Sequence, residues 1–355
     1  GVMLYTNRVM TFMMPALMII MNVMSILIVW ISAHRIDDGV MEVGTMTAFI
    51  TYTMMIVMAF LMLTMISIML PRAGVAADRI DEVLKTEVSV NNSTDAVDAG
   101  RSKGVVRFNH VSFAYPEAEG KVLDDIDFEA SPGTTTAIIG STGCGKSTLV
   151  NLIPRFFDVT EGSITLDGRD IRNITLESLR ENIGYVPQKG ILFSGTIADN
   201  IKYGQQEESD EDMLEAAEIA QATEFIEAKP DKYESQVAQG GNNVSGGQKQ
   251  RLSIARAIAR DPMIYIFDDS FSALDFKTDA ALRKALAPKV KDKTVLIVAQ
   301  RISTVMHAEQ IIVLDDGKVA GIGTHKALME NCEIYRQIAG SQLSESELKK
   351  SLEVK

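Results

Sequence analysis

The stretch Thr136 to Val150, Thr-Ala-Ile-Ile-Gly-Ser-Thr-Gly-Cys-Gly-Lys-Ser-Thr-Leu-Val, constrains this chain more than any other. It fits Gly-x-x-x-x-Gly-Lys-Ser/Thr at Gly140, Gly145, Lys146 and Ser147, with a short apolar strand pattern before it and a helical pattern after it. Glycines let such a loop fold into a concave nest of backbone N–H groups, here from Gly140, Ser141, Thr142, Gly143, Cys144 and Gly145 through Thr148, and the helix aims its positive dipole end at the same point. Lys146 is the point charge expected on the β- and γ-phosphates, and Ser147 the hydroxyl expected on Mg²⁺. ATP and Mg²⁺ are therefore the expected ligands.

The first hundred residues have a different character. Fifteen of the 19 methionines precede Leu70. From Val9 to Ser32 only Asn22 and a few hydroxyls interrupt an apolar run, and Val43 to Leu70 contains no charge. Either run suffices to cross a hydrocarbon core of about 30 Å as a helix. The polar turn His34 to Gly39 between them makes the two helices antiparallel neighbours. Arg8 on one outer flank and Arg72, Arg79 and Lys85 on the other place both outer ends in the cytosol, with the turn facing outward. Pro15 could kink the first span. The methionines, among them Met13, Met14, Met54, Met55, Met58, Met62 and Met65, suit either contact with varied apolar cargo or packing against lipid and neighbouring helices. Ala73 to Thr86 is amphipathic and continues the second span into the cytosol.

The expected division is thus 1–86 as the C-terminal part of a transmembrane domain, with spans at about 9–32 and 43–70, 87–103 as a polar linker, 104–340 as a nucleotide-binding domain and 341–355 as a polar tail. A formal net charge of −12 argues against a nucleic-acid footprint. Two distant cysteines, Cys144 and Cys332, fit a reducing cytosol. Strands are expected at Val105 to Tyr115, Val122 to Ala130, Ser163 to Leu166, Gly184 to Pro187, Met263 to Asp268, Thr294 to Ala299 and Gln310 to Leu314, with helices between. This alternation indicates a parallel sheet with its ligand at the carboxyl ends of the strands.

Further motifs fall in an order that resembles ATP-binding-cassette (ABC) proteins. Val244-Ser245-Gly246-Gly247-Gln248 resembles the family's signature and opens a helix; Asp268, after four apolar residues, resembles the Mg²⁺-holding Walker B carboxylate; Gln188 in Val-Pro-Gln looks like the Q-loop glutamine, a further metal ligand; Ser272-Ala273-Leu274-Asp275 matches the D-loop; and Tyr115 sits where the family stacks an aromatic on adenine. Leu192 to Asn200 is similar to a segment of exporter-type members. The resemblance implies two membrane spans plus an α/β P-loop NTPase domain of ABC type, with antiparallel β and α-helical subdomains. It implies an ATPase of the cytoplasmic (inner) membrane, with its nucleotide-binding domain in the cytosol, that exports a small-molecule, lipid or peptide cargo. A full transmembrane domain of six helices needs roughly 300 residues, so further helices are expected on another polypeptide or on a missing stretch of this one.

Two positions depart from the family. Asp269 stands where a Glu usually polarises the attacking water, and misplacements on the order of 1 Å can cost about 100-fold in rate. Independently, Gln300 stands where the switch histidine usually reads the γ-phosphate; Gln donates a hydrogen bond but cannot become cationic. The three residues expected at the reaction are Asp269, Gln300 and Gln188. With Ser245 to Gln248 intact, and the signature closing over the facing subunit's nucleotide in this family, the resemblance implies one half of a heterodimeric exporter. Its own site holds ATP, its signature completes the partner's hydrolytic site, and the partner is a second half-transporter. A gating subunit without transport of its own, and a slow homodimeric exporter, are the alternatives.

Overall fold

The computed structural model describes residues 2–116, 118–204 and 209–353. The chain divides into two compact units, Gly1–Glu87 and Val88–Lys355.

The first unit is a pair of helices, Val2–Asp37 and Val43–Lys85. Thr11–Asp37 of the first and Val43–Lys85 are long enough to cross a membrane, and their most apolar membrane-length stretches reach mean hydropathies of 2.3 and 2.4. They exceed the expected spans, because the sequence after Leu70 keeps helical propensity where its apolar character ends. Pro15 and Pro71 lie inside continuous helix. The hydroxyls of Thr47, Thr51, Thr53, Thr64 and Ser67 each donate to the carbonyl four residues earlier, so these polar groups are satisfied without water.

The second unit is built on two sheets. The six-stranded sheet runs Lys318–Gly323, Gln310–Asp315, Thr135–Gly140, Thr294–Val298, Ile264–Asp268, Ile183–Val186. Five strands are parallel, as their near-continuous apolar composition requires of strands covered on both faces. The edge strand Lys318–Gly323, which was not among the strands expected from sequence, is antiparallel. It returns through a tight turn at Asp316 and Gly317, both at positive φ, a hairpin signal plain in Asp-Gly. Register fixes the functional edge: Ile138 and Asp268 both pair with Val298, and Gly140 pairs with Leu314.

A four-stranded antiparallel sheet, led by Val106–Phe113 between Leu123–Ala130 and Glu161–Leu166, shares a core with the helix Lys146–Leu152. A helical subdomain, including Ile197–Lys202, Asp210–Ile219 and Gly246–Ala259, has its own core around Ile201, Ala216, Leu252 and Ile258.

The segment expected as a linker is bound along this unit. Ser178 Oγ donates to Asp98, Asn182 bonds the backbone of Gly100 and Ser102, and Arg101 pairs with Asp261. Its polar composition reflects hydrogen bonding to a fixed surface. Within the polar tail Glu345–Glu353 is helical, and Leu348 packs against a core cluster containing Ile302, Val305 and Tyr335. Residues 354–355 of that tail lie outside the described residues.

Candidate nucleotide site

The loop after Thr135–Gly140 turns through Gly143 and Gly145, at φ 87° and 98°, into the helix Lys146–Leu152. A Cβ on Gly140 would stand 2.1 Å from the carbonyl oxygen of Leu314 and 2.7 Å from Cys144 Sγ. Only glycine fits there, because the obstacle is backbone of the neighbouring strand. The buried Lys146 ammonium donates to the carbonyls of Gly140 at 2.9 Å and Ser141 at 2.6 Å, which holds the charge over the loop.

Parallel pairing brings the ends of three other strands to this loop. A cleft of about 260 Å³ is lined by Thr142, Gly143, Gly145, Lys146, Ser147, Thr148, Gln188, Asp268, Asp269 and Gln300, joined by Val122 and Val298. Ten residues singled out from sequence thus meet in one cleft, although the first, Thr142, and the last, Gln300, are 158 positions apart in the chain. Tyr115 does not line it. Its hydroxyl lies 3.0 Å from Thr148 Oγ1 and its ring packs edge-on against Phe113 and Phe157. Ser245 to Gln248 lie outside the cleft, at the start of Gly246–Ala259. There Ser245 Oγ accepts from Gln248 N and Gln248 Oε1 accepts from Ser245 N, a reciprocal cap that leaves the serine exposed.

Ser147 Oγ donates to Asp268 Oδ1 at 2.9 Å. A hydroxyl and a carboxylate converging beside a phosphate loop fit the hard-oxygen preference of Mg²⁺, which takes few protein ligands and completes its shell with phosphate and water. Ser147 and Asp268 would hold the ion, with the amide oxygen of Gln188 as a further ligand; when bound it neutralises charge that develops on the phosphates. Burial pushes the Asp268 carboxyl above the usual carboxylate range, against hydrogen bonds from Ser147 and Tyr185 that lower it. Tyr185, whose hydroxyl donates to Asn151 at 2.8 Å and reaches Asp268 at 3.4 Å, was not singled out from sequence. Its place one residue from the end of Ile183–Val186 is the signal that identifies it.

A raised carboxylate has a signed consequence. The folded state holds the Asp268 proton more tightly than the unfolded chain, so this group's favourable contribution is complete below about pH 4 and is lost as pH rises through the folded pKa. Asp268→Asn removes the titration while keeping an acceptor for Ser147. In the absence of nucleotide and metal, thermal melts should show the variant more stable than wild type at neutral pH, with the gain vanishing toward pH 4.

Asp269 follows immediately, at φ 47°, a left-handed conformation that Asp tolerates better than most residues. Its N–H donates to the Val298 carbonyl at 2.9 Å. Its Oδ2 accepts from Gln300 Nε2 at 2.9 Å and from Gln188 Nε2 at 3.3 Å. The two departures, 31 positions apart in the sequence, are therefore in direct contact. Burial raises the Asp269 carboxyl, while Gln188, Ser272 and the charges of Lys146 and Arg301 oppose the rise.

A phosphate loop, a Mg²⁺-competent hydroxyl–carboxylate pair, a helix-capping Ser-Gly-Gly-Gln and this sheet order define the second unit as an ABC-type ATP-binding domain. Residues 123–272 match the family model described as ABC transporter. An ABC transporter ATP-binding protein of Mycobacterium tuberculosis is 48% identical over 339 residues, covering 93% of this chain and 57% of that protein. The beta-(1→2)glucan export ATP-binding/permease protein NdvA of Rhodopseudomonas palustris is 40% identical over 318 residues, covering 89% and 52%. A solved bacterial Atm1-family ABC exporter with ATP bound superposes with a TM-score of 0.77 at 30% identity, over 96% of this chain and 60% of that one. The chain spans little more than half the length of the curated relatives it matches. Over residues 123–272 the nucleotide-binding unit is thus similar to the ATP-binding domains of ABC transporters, and two apolar helices precede it in the sequence.

Proposed function

We propose that this chain is one half of a heterodimeric ABC exporter of the cytoplasmic membrane. Its own phosphate loop holds Mg-ATP and cleaves it slowly, and Ser245 to Gln248 complete the hydrolytic site of a second half-transporter. The observation that carries this reading is the Asp269 carboxylate. It is one methylene shorter than Glu, and the amide nitrogens of Gln300 and Gln188 both bond its Oδ2. A base must reach the attacking water with a free lone pair, and here reach and one oxygen are both committed elsewhere. The export-named relative and the ATP-bound exporter structure support the transport part of the reading. Its cargo belongs to the small-molecule, lipid or peptide classes that a Met-rich wall accommodates.

The test is reconstitution of the chain, with a full complement of membrane helices and its partner, in sealed vesicles. ATP-driven accumulation of cargo and ATPase activity are expected together, and both are lost without the partner. Turnover by this chain alone at rates common to enzymes, about 1 to 1,000 per second, or ATPase without transport in the assembly, contradicts the proposal.

A further inference from the structure

The loop that carries Gln300 leads into a short helix, Ile302–Val305. The first N–H groups of any helix lack partners inside it, and a residue before the helix normally caps them with a side-chain oxygen. Arg301 occupies that place, has no acceptor and makes no cap. Its guanidinium lies over the Phe276 ring, 5.2 Å from the centroid. The missing acceptor comes from 40 residues away. Gln342, at the end of the helix Glu333–Gln342, accepts from Ile302 N through Oε1 at 2.9 Å and donates from Nε2 to the Gln300 carbonyl at 2.8 Å. Both ends of one amide thus grip the backbone on either side of Arg301.

The helix bearing Gln342 is itself fixed. Tyr335 and Ala339 are buried in the cluster that contains Ala299, Ile302 and Val305. Beyond the grip, Gln300 Nε2 reaches Asp269 Oδ2 at 2.9 Å. A path of hydrogen bonds through Gln300 therefore joins the helix Glu333–Gln342 to the cleft.

We infer that Gln342 is a positioning residue for the nucleotide site: it caps the switch helix from the C-terminal segment and so holds Gln300 where a γ-phosphate is read. This rests on the reading above that the cleft binds Mg-ATP with Gln300 beside the terminal phosphate. A group acting through Gln300 matters to ATP and not to ADP, which lacks the phosphate concerned. A contact that only supports the fold affects both nucleotides alike.

The full chain is titrated with Mg-ATP and with Mg-ADP, as wild type, Gln342→Ala and Gln342→Glu, and amide exchange is followed at Ile302. Gln342→Ala should weaken Mg-ATP about fivefold, the worth of one net hydrogen bond, leave Mg-ADP unchanged and speed exchange at Ile302. Gln342→Glu keeps the acceptor and loses the donor, so it should retain protection at Ile302 while still weakening Mg-ATP relative to Mg-ADP. Equal weakening of both nucleotides, or no change in either, overturns the inference while leaving ATP binding by wild type intact. Failure of wild type to bind Mg-ATP overturns the underlying reading and the inference with it.

Discussion

Asp269→Glu combined with Gln300→His raises single-turnover hydrolysis of the nucleotide held by this chain's own loop by about 100-fold in the assembled transporter. Glutamate carries the carboxylate about one C–C bond, roughly 1.5 Å, farther from the backbone, and displacements on the order of 1 Å at a reacting group are worth about 100-fold. Histidine removes an amide donor from the carboxylate and supplies a group that can bear positive charge. Because Gln300 Nε2 and Asp269 Oδ2 are 2.9 Å apart, the two changes should be coupled. Either variant alone should recover less than its share, as neighbours in one hydrogen-bond network do. Position 269 has φ 47°, where Asp is more at ease than Glu, so the gain in rate should come with a lower melting temperature. Nucleotide chased on the photolabelled chain reads the rate, and strictly additive effects would refute the coupling.

Ser245→Arg lowers steady-state ATPase of the assembly by about 100-fold or more while leaving Mg-ATP affinity at this chain's own loop unchanged. Ser245 is exposed at the N-terminus of the helix Gly246–Ala259 and lies outside the cleft formed by Lys146, Asp268 and Gln300. Arginine removes the serine cap, worth about 1 kcal/mol, and sets a bulky side chain across the N–H groups that would receive a facing phosphate. Losing preorganised donors of that kind costs on the order of 100- to 1,000-fold. The helix is 14 residues long with Leu252, Ile254 and Ile258 buried, so it should survive the change. Equilibrium binding to the chain together with turnover of the assembly separates the two effects, and a parallel loss of ATP affinity would contradict the assignment of signature and loop to different sites.

The sequence carried the phosphate loop, the five parallel strands and the composition of the cleft. Each depends on local pattern: apolar runs ending at Asp268 and Val298, glycines at Gly140 and Gly145, and a capping serine at Ser245. What escaped it depends on tertiary geometry. Asp269 and Gln300 are 31 positions apart, and only the parallel pairing of Val298 with Asp268 sets them in contact. Val122 enters the cleft because it precedes the antiparallel strand Leu123–Ala130, whose place beside the loop no local pattern states. The polar stretch from Val88 to Lys103 resembles free linker in composition, yet its backbone is bonded by Ser178, Asn182 and Asp167. The C-terminal segment is likewise polar outside, and its few apolar contacts, at Leu343 and Leu348, are too sparse to announce a docked helix.

Slow cleavage at this chain's own loop is tested by the chemical identity of the nucleotide retained on this chain after the assembled transporter has turned over many equivalents of Mg-ATP labelled at the γ-phosphate. Intact ATP on this chain, with ADP and phosphate accumulating in solution, is the predicted result. ADP retained on this chain, with label released from it at the rate of overall turnover, would contradict it.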